Sequence, residues 1–147
     1  MDGRLKKIIS LLEESIPDPC VELQYSNAFE LLIAAILSAQ CTDRRVNEVT
    51  KKLFKRCRKP ADYVTLGGAA LEKAIHPTGY YRSKARSILG LCRKLEEEFG
   101  GNVPSSLDEL TSLPGVGRKT ANIILGHVFN KQTIPVDTHV KRVAYRL

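Results

Sequence analysis

No stretch of about 18 consecutive apolar residues runs through this sequence. The opening MDGRLKKIISLLEES also carries charges through its apolar stripe. Neither a membrane span nor a secretory leader is indicated, so an intracellular protein, cytoplasmic and nucleoid-associated, is expected. The four cysteines, Cys20, Cys41, Cys57 and Cys92, stand 21, 16 and 35 positions apart. They lack the C-x-x-C pairs of a zinc site and the density of a disulfide-stapled fold, which leaves reduced thiols and no metal as the expectation. Period-two alternation, low-complexity tracts and internal repeats are missing too. Acidic residues are the minority, 16 against 23 lysines and arginines, for a net charge of +7. An anionic partner, nucleic acid or an acidic membrane surface, fits that balance.

What is present reads as helix almost throughout. With 147 residues and 43% hydrophobic side chains, the chain can bury one sizeable core. Leu5, Ile8, Ile9, Leu12 and Ile16 recur on one helical face until Pro17 and Pro19 stop the pattern. Asn27 and Glu30 have capping-box spacing and open FELLIAAILSAQ, apolar on every side between Phe29 and Leu37, as befits a helix in the middle of a core. Asp43 is placed as the cap of the next helix, with Val46, Val49 and Leu53 inward, which ends ahead of Pro60. A short helix follows around Leu71 to Ile75, and a longer one runs from Ser83 to the Gly100-Gly101 stop. Ser106 and Glu109 cap a helix of one or two turns, and a further helix runs to about Phe129. Asp137 caps the last, with Val140, Val143, Ala144 and Leu147 expected inward. The fold class is all-α.

Between two of these helices lies LPGVGRKTAN, residues 113 to 122. A nucleotide P-loop is excluded: Leu113 stands where its first glycine belongs, Arg118 precedes Lys119, and the preceding element is a helix. Two readings of Gly115 and Gly117 remain. The glycines either allow two helices to pack tightly, or they bring backbone N–H groups at the second helix's N-terminus close to a DNA phosphate. The second mode is independent of base sequence and sensitive to salt.

Four blocks, in order, resemble the endonuclease III family of DNA glycosylases, within the superfamily that joins a helix-hairpin-helix to a Gly/Pro loop ending in aspartate. LPGVGRKTANIIL resembles the hairpin, TIPVDTHVKRVAYRL the loop ending in Asp137, FELLIAAILSAQCTDRRVN the central buried helix and its following turn, and GYYRSKARSIL a third block. The resemblance covers about residues 22 to 147. It implies a six-helix domain over 22–132, with the hairpin at about 107–129, and remnants of a second lobe at 1–21 and 133–147.

The resemblance also assigns roles. An amine attacks a sugar C1′ only when unprotonated, and the family's lysine, matched by Lys119, expels the damaged base and forms a Schiff base; β-elimination then cleaves the strand. On its own, Lys119 reads as a solvated phosphate contact. Asp137 matches the carboxylate facing that lysine, where it takes protons or stabilises charge on the sugar, and it caps its helix as well. Gln40 matches the residue that fills the gap left by an extruded base, and Tyr80 falls where many members carry an aliphatic wedge. Gly115, Val116, Gly117, Arg118 and Thr120 match the DNA-binding hairpin, and Ser38 and Asp43 match pocket positions, with His139 a possible neighbour. For Ser38 and Asp43 the plain alternatives are a helix-end hydroxyl and an N-cap.

The implied function is base-excision repair of damaged, oxidised pyrimidines in double-stranded DNA, with cleavage at abasic sites, by a monomer. Full-length members usually supply four closely spaced cysteines for a 4Fe-4S cluster in a C-terminal segment. That segment has no counterpart here and the last helical pattern is still running at Leu147, so a C-terminally truncated chain with no cofactor of its own is expected. Two alternatives stand beside this function: a non-catalytic helix-hairpin-helix DNA-binding module or a fragment with impaired catalysis, and base removal alone, against which Lys119 counts.

Overall fold

The structure, a computed structural model, describes residues 2–147. Its helices are α1 (Gly3–Ser15), α2 (Ala28–Leu37), α3 (Asp43–Arg56), α4 (Pro60–Leu66), α5 (Gly68–Ile75), a 3-10 turn (His76–Thr78), α6 (Tyr81–Phe99), α7 (Leu107–Thr111), α8 (Arg118–His127) and α9 (Thr138–Arg146). No strand occurs among the described residues.

The core forms around α2. Every residue from Phe29 to Leu37 is buried, and Leu31, Leu32, Ile33, Ala34 and Leu37 are fully so. Such a helix has no wet face to orient it, and α3, α6 and α8 pack around it. Truncating one of its leucines to alanine costs about 2–5 kcal/mol. Its start is fixed by Asn27, whose Oδ1 accepts from Glu30 N–H at 2.9 Å, while the Glu30 carboxylate reaches back to Ser26 N–H at 2.7 Å. The reciprocal bond falls one residue before the cap, a small variation on the capping box.

Four details differ from the sequence reading. Thr42, not Asp43, is the N-cap of α3: its Oγ1 accepts from Arg45 N–H at 3.3 Å, and Asp43 is the first helical residue. Two capping residue types stand side by side there, and the helix register selects the first. Helix α4 is an addition that gives the span from 28 to 127 seven α-helices: α3 ends ahead of Pro60 as expected, and Pro60 then opens α4, because the missing N–H of a first-position proline is no loss. Asp62 supports the start, accepting from the N–H groups of Arg58 at 2.8 Å and Lys59 at 3.1 Å. Helix α6 begins at Tyr81, two residues before Ser83.

The fourth difference concerns the two end helices. Neither α1 nor α9 contains a buried residue, and Leu5, Ile9, Leu12, Val140, Val143 and Leu147 are exposed large apolar side chains. Periodicity gave the apolar side correctly, but no described element covers it. Arg4 reaches Leu147 O, so the two helices meet at their ends.

Candidate functional site

The turn from α7 into α8 is anchored at its middle: Val116 is buried and its N–H donates to Leu113 O at 3.1 Å. Gly115 sits at φ +77°, and a Cβ there would lie 2.7 Å from Ser87 Cβ on α6. Backbone and packing each exclude a side chain at this position. Gly117 differs, with φ −88° and nothing within 4 Å of a Cβ built on it. Tight helix packing explains Gly115 but not Gly117. As N-cap of α8, Gly117 supplies no side-chain acceptor, so the first-turn N–H groups at Arg118, Lys119 and Thr120 have no cap. Bare amides at the positive end of a helix, with open space before them and exposed Arg118 and Lys119 alongside, form an anion-binding geometry.

Lys119 Nζ donates to Asp137 Oδ2 at 3.1 Å. The other carboxylate oxygen accepts from the N–H groups of His139 at 3.0 Å and Val140 at 2.9 Å, so Asp137 both caps α9 and faces the lysine. The Val140 amide bond first, and then the Lys119 ammonium, hold its pKa down at about 2. With the lysine side chain 49% and the carboxylate 29% accessible, the pair is open to solvent.

The loop before Asp137 brings these two groups together, through bonds to α8 that the sequence reading did not foresee. Lys131 N–H donates to Leu125 O at 2.9 Å, Thr133 Oγ to Asn122 O at 2.8 Å, and Asn122 Nδ2 to Ile134 O at 3.4 Å. Gly126 lets the loop lie against α8, since a Cβ there would meet Thr133 Oγ at 2.9 Å. The available signal was Asn122 and Gly126, a polar residue and a glycine interrupting the helical run of α8.

Gln40 and Tyr80 occupy two exposed turns, each with left-handed backbone, φ 53° and 45°. Non-glycine residues hold that conformation only when their surroundings impose it. A cavity of about 410 Å³ lies between them, lined by Gln40, Tyr80, Ser83, Lys84, Ser87 and Gly115, so both turns and the hairpin share one hollow. A larger hollow of about 550 Å³, beside Tyr25, Lys51 and Arg58, contains none of the residues assigned a catalytic, DNA-binding or pocket role from the sequence.

The remaining candidates stand apart. Ser38 donates its hydroxyl to Ala35 O at 2.8 Å, a helix-end bond. Asp43 faces a groove with Glu22, Asn47 and Lys51, away from the Gln40 hollow. The His139 ring turns toward Arg142, Nδ1 lying 3.2 Å from a guanidinium nitrogen. None of the three side chains makes a hydrogen bond or ion pair with Lys119 or Asp137. Cys57 and Cys92 lie inside the core, Cys41 is half-buried and Cys20 is exposed, and no cluster of metal-ligating side chains occurs among the described residues. Burial pushes the Cys57 thiol up and that of Cys92 to about 12, which keeps both protonated.

A glycine hairpin that opens onto a lysine, with an aspartate held against it by the following loop, defines the helix-hairpin-helix class of base-excision repair proteins. Residues 33–147 match the HhH-GPD superfamily of base excision DNA repair proteins, and within it the chain belongs to the endonuclease III family. It is 47% identical to endonuclease III of Synechocystis sp. over 98% of this chain and 66% of that protein. For endonuclease III of Bacillus subtilis the values are 48%, 91% and 61%. Among solved structures, a non-covalent endonuclease III–DNA complex superposes with a TM-score of 0.92 at 48% identity, covering 96% of this chain and 66% of that one. A trapped endonuclease III–DNA covalent intermediate gives 0.94 at 48% identity, with 98% and 68% covered. The chain thus spans about two thirds of the length of these relatives, 61% to 66% of the two named curated proteins. No helix is long and apolar enough to cross a membrane among the described residues.

Proposed function

We propose that this protein is a DNA glycosylase and abasic-site lyase acting on duplex DNA that carries damaged, oxidised pyrimidines. The observation that carries the reading is the 3.1 Å approach of Lys119 Nζ to Asp137 Oδ2. An ammonium is no nucleophile, and the carboxylate at hydrogen-bond distance, a weak base at a pKa of about 2, takes its proton once bound DNA excludes water from the pair. The freed amine forms a bond to C1′ of the extrahelical nucleotide as the glycosidic bond breaks, and the base leaves with the bonding electron pair. Opening of the sugar gives a Schiff base on Lys119; loss of a C2′ proton then expels the 3′ phosphate, and water releases the enzyme. Asp137, held by two backbone amides, stabilises positive charge that develops on the ring. Bare amides of the hairpin and Arg118 hold the flanking phosphates, while Gln40 and Tyr80 fill the vacated space in the stack.

Borohydride trapping tests this reading. The chain incubated with a duplex containing an abasic site should form a covalent adduct, and Lys119→Ala should abolish it. An undiminished adduct from the variant removes Lys119 from the nucleophile role.

A second reading rests on the exposure of all of α9, the helix that carries Asp137 at its cap. A carboxylate on a helix with no buried residue is positioned by its loop alone, and a displacement of about 1 Å costs about 100-fold in rate. On this reading the chain is a DNA-binding module, which binds duplex in a salt-sensitive manner and leaves the strand intact.

A further inference from the structure

Lys84 is buried, 5% exposed, in the first turn of α6. Lysine is almost never buried unless its amine is satisfied, and here Nζ donates to Leu37 O and to Thr78 O, both at 2.8 Å. The two acceptors belong to different parts of the chain, 47 and 6 residues away. Leu37 ends α2, three residues before Gln40, and Thr78 ends the 3-10 turn, two residues before Tyr80. One amine therefore joins the segments that present both residues with left-handed backbone, and it also lines the hollow between them. Thr78 is itself buried, and its hydroxyl donates to Ile75 O at 2.8 Å, so the acceptor is fixed in place.

Stability alone does not call for a lysine at this place. Desolvation works against its charge and lowers its pKa, and an apolar side chain of similar volume fills a core position without that cost. What an apolar residue cannot do is hold two carbonyls at a set separation. We propose that Lys84 is a positioning residue that fixes the spacing of the Gln40 and Tyr80 turns, so that both enter the gap left by an extruded nucleotide as one unit. The proposal rests on the repair reading only through the gap-filling role of those two residues.

The test is binding to two duplexes, one intact and one containing a tetrahydrofuran abasic-site mimic. Wild type should prefer the mimic, since only the mimic offers a gap to fill. Lys84→Met should keep intact-duplex affinity within about twofold while losing about tenfold of that preference. Lys84→Arg, whose donors sit farther out on a planar group, should fall between the two. In a Gln40→Ala, Tyr80→Ala background, Lys84→Met should remove no further preference. A Lys84→Met protein with wild-type preference overturns the proposal, as does full additivity in that cycle. Should Lys84→Met not fold, Lys84→Arg decides alone: a preference reduced by about threefold or more supports the clamp, and an unchanged one overturns it. Absence of any preference in wild type overturns the gap-filling role and the clamp together, an outcome visible before any variant is made.

Discussion

Gly115 and Ser87 approach so closely that one added carbon on the glycine would sit 2.7 Å from the serine Cβ, in a backbone conformation, φ +77°, that already excludes most residues. Gly115→Ala should therefore lose about 1–3 kcal/mol of stability, read from thermal or urea unfolding. The double variant with Ser87→Gly should recover only the packing share of that loss, because the left-handed backbone remains. Complete recovery would show that the backbone conformation contributes no cost.

Asp137 has two jobs that substitution can separate. Asparagine keeps an oxygen for the His139 and Val140 amides but not the charge facing Lys119. Asp137→Asn should keep the cap and lose only the stability that the charge contributes, while lyase turnover on abasic DNA falls about 100-fold or more. Asp137→Ala should lose the cap as well and unfold more readily than Asp137→Asn. Equal turnover for Asp137→Asn and wild type would take the carboxylate out of the chemistry.

The same carboxylate sets a pH dependence. Its pKa of about 2 in the folded state lies below the ordinary aspartate value of about 3.9. Its stabilising contribution is therefore complete above the ordinary value and disappears as pH falls through about 2. Unfolding followed between pH 6 and 2 should show Asp137→Asn less acid-sensitive than wild type, and a carboxyl NMR titration should place the Asp137 midpoint near the lower bound. A midpoint at the ordinary value would mean that neither the Val140 amide bond nor the pair with Lys119 persists in solution.

The loop that delivers Asp137 depends on Gly126. Gly126→Ala, with its Cβ 2.9 Å from Thr133 Oγ, should displace the loop and lower turnover by about 10- to 100-fold. Duplex affinity should change little, since the hairpin amides are untouched. Adding Thr133→Ser, which keeps the hydroxyl and frees it to rotate, should restore part of the rate.

Duplex binding should weaken steeply with salt, in keeping with the net charge of +7. Arg118→Ala should reduce the slope of log K against log salt by about 1 if that side chain contacts one phosphate. An unchanged slope would place Arg118 off the DNA.

Much of this architecture was legible before any coordinates. An unbroken apolar stretch marked α2 as the core helix, capping residues gave the starts of α2, α7 and α9, and the hairpin with its aspartate loop gave both members of the Lys119–Asp137 pair. What escaped depends on partners distant in sequence. Within YYRSKARS, Lys84 reads as one more solvated cation until Leu37, 47 residues earlier, is seen above it. Pro60 signals a stop and a start equally well, and only the Asp62 bonds to the preceding amides decide for a start. For α9, periodicity tells which side is apolar and carries no information about what lies against it.

The all-round burial of α2 has a mechanical consequence. Gln40 stands just past one end of a rod that is wedged against neighbours on every side and capped at the far end. A load applied to that tip is passed axially into the interior rather than absorbed by bending. Under the proposed gap-filling role of Gln40, the few kcal/mol needed to unstack a base would be carried by a stiff strut rather than by a pliant finger that recoils.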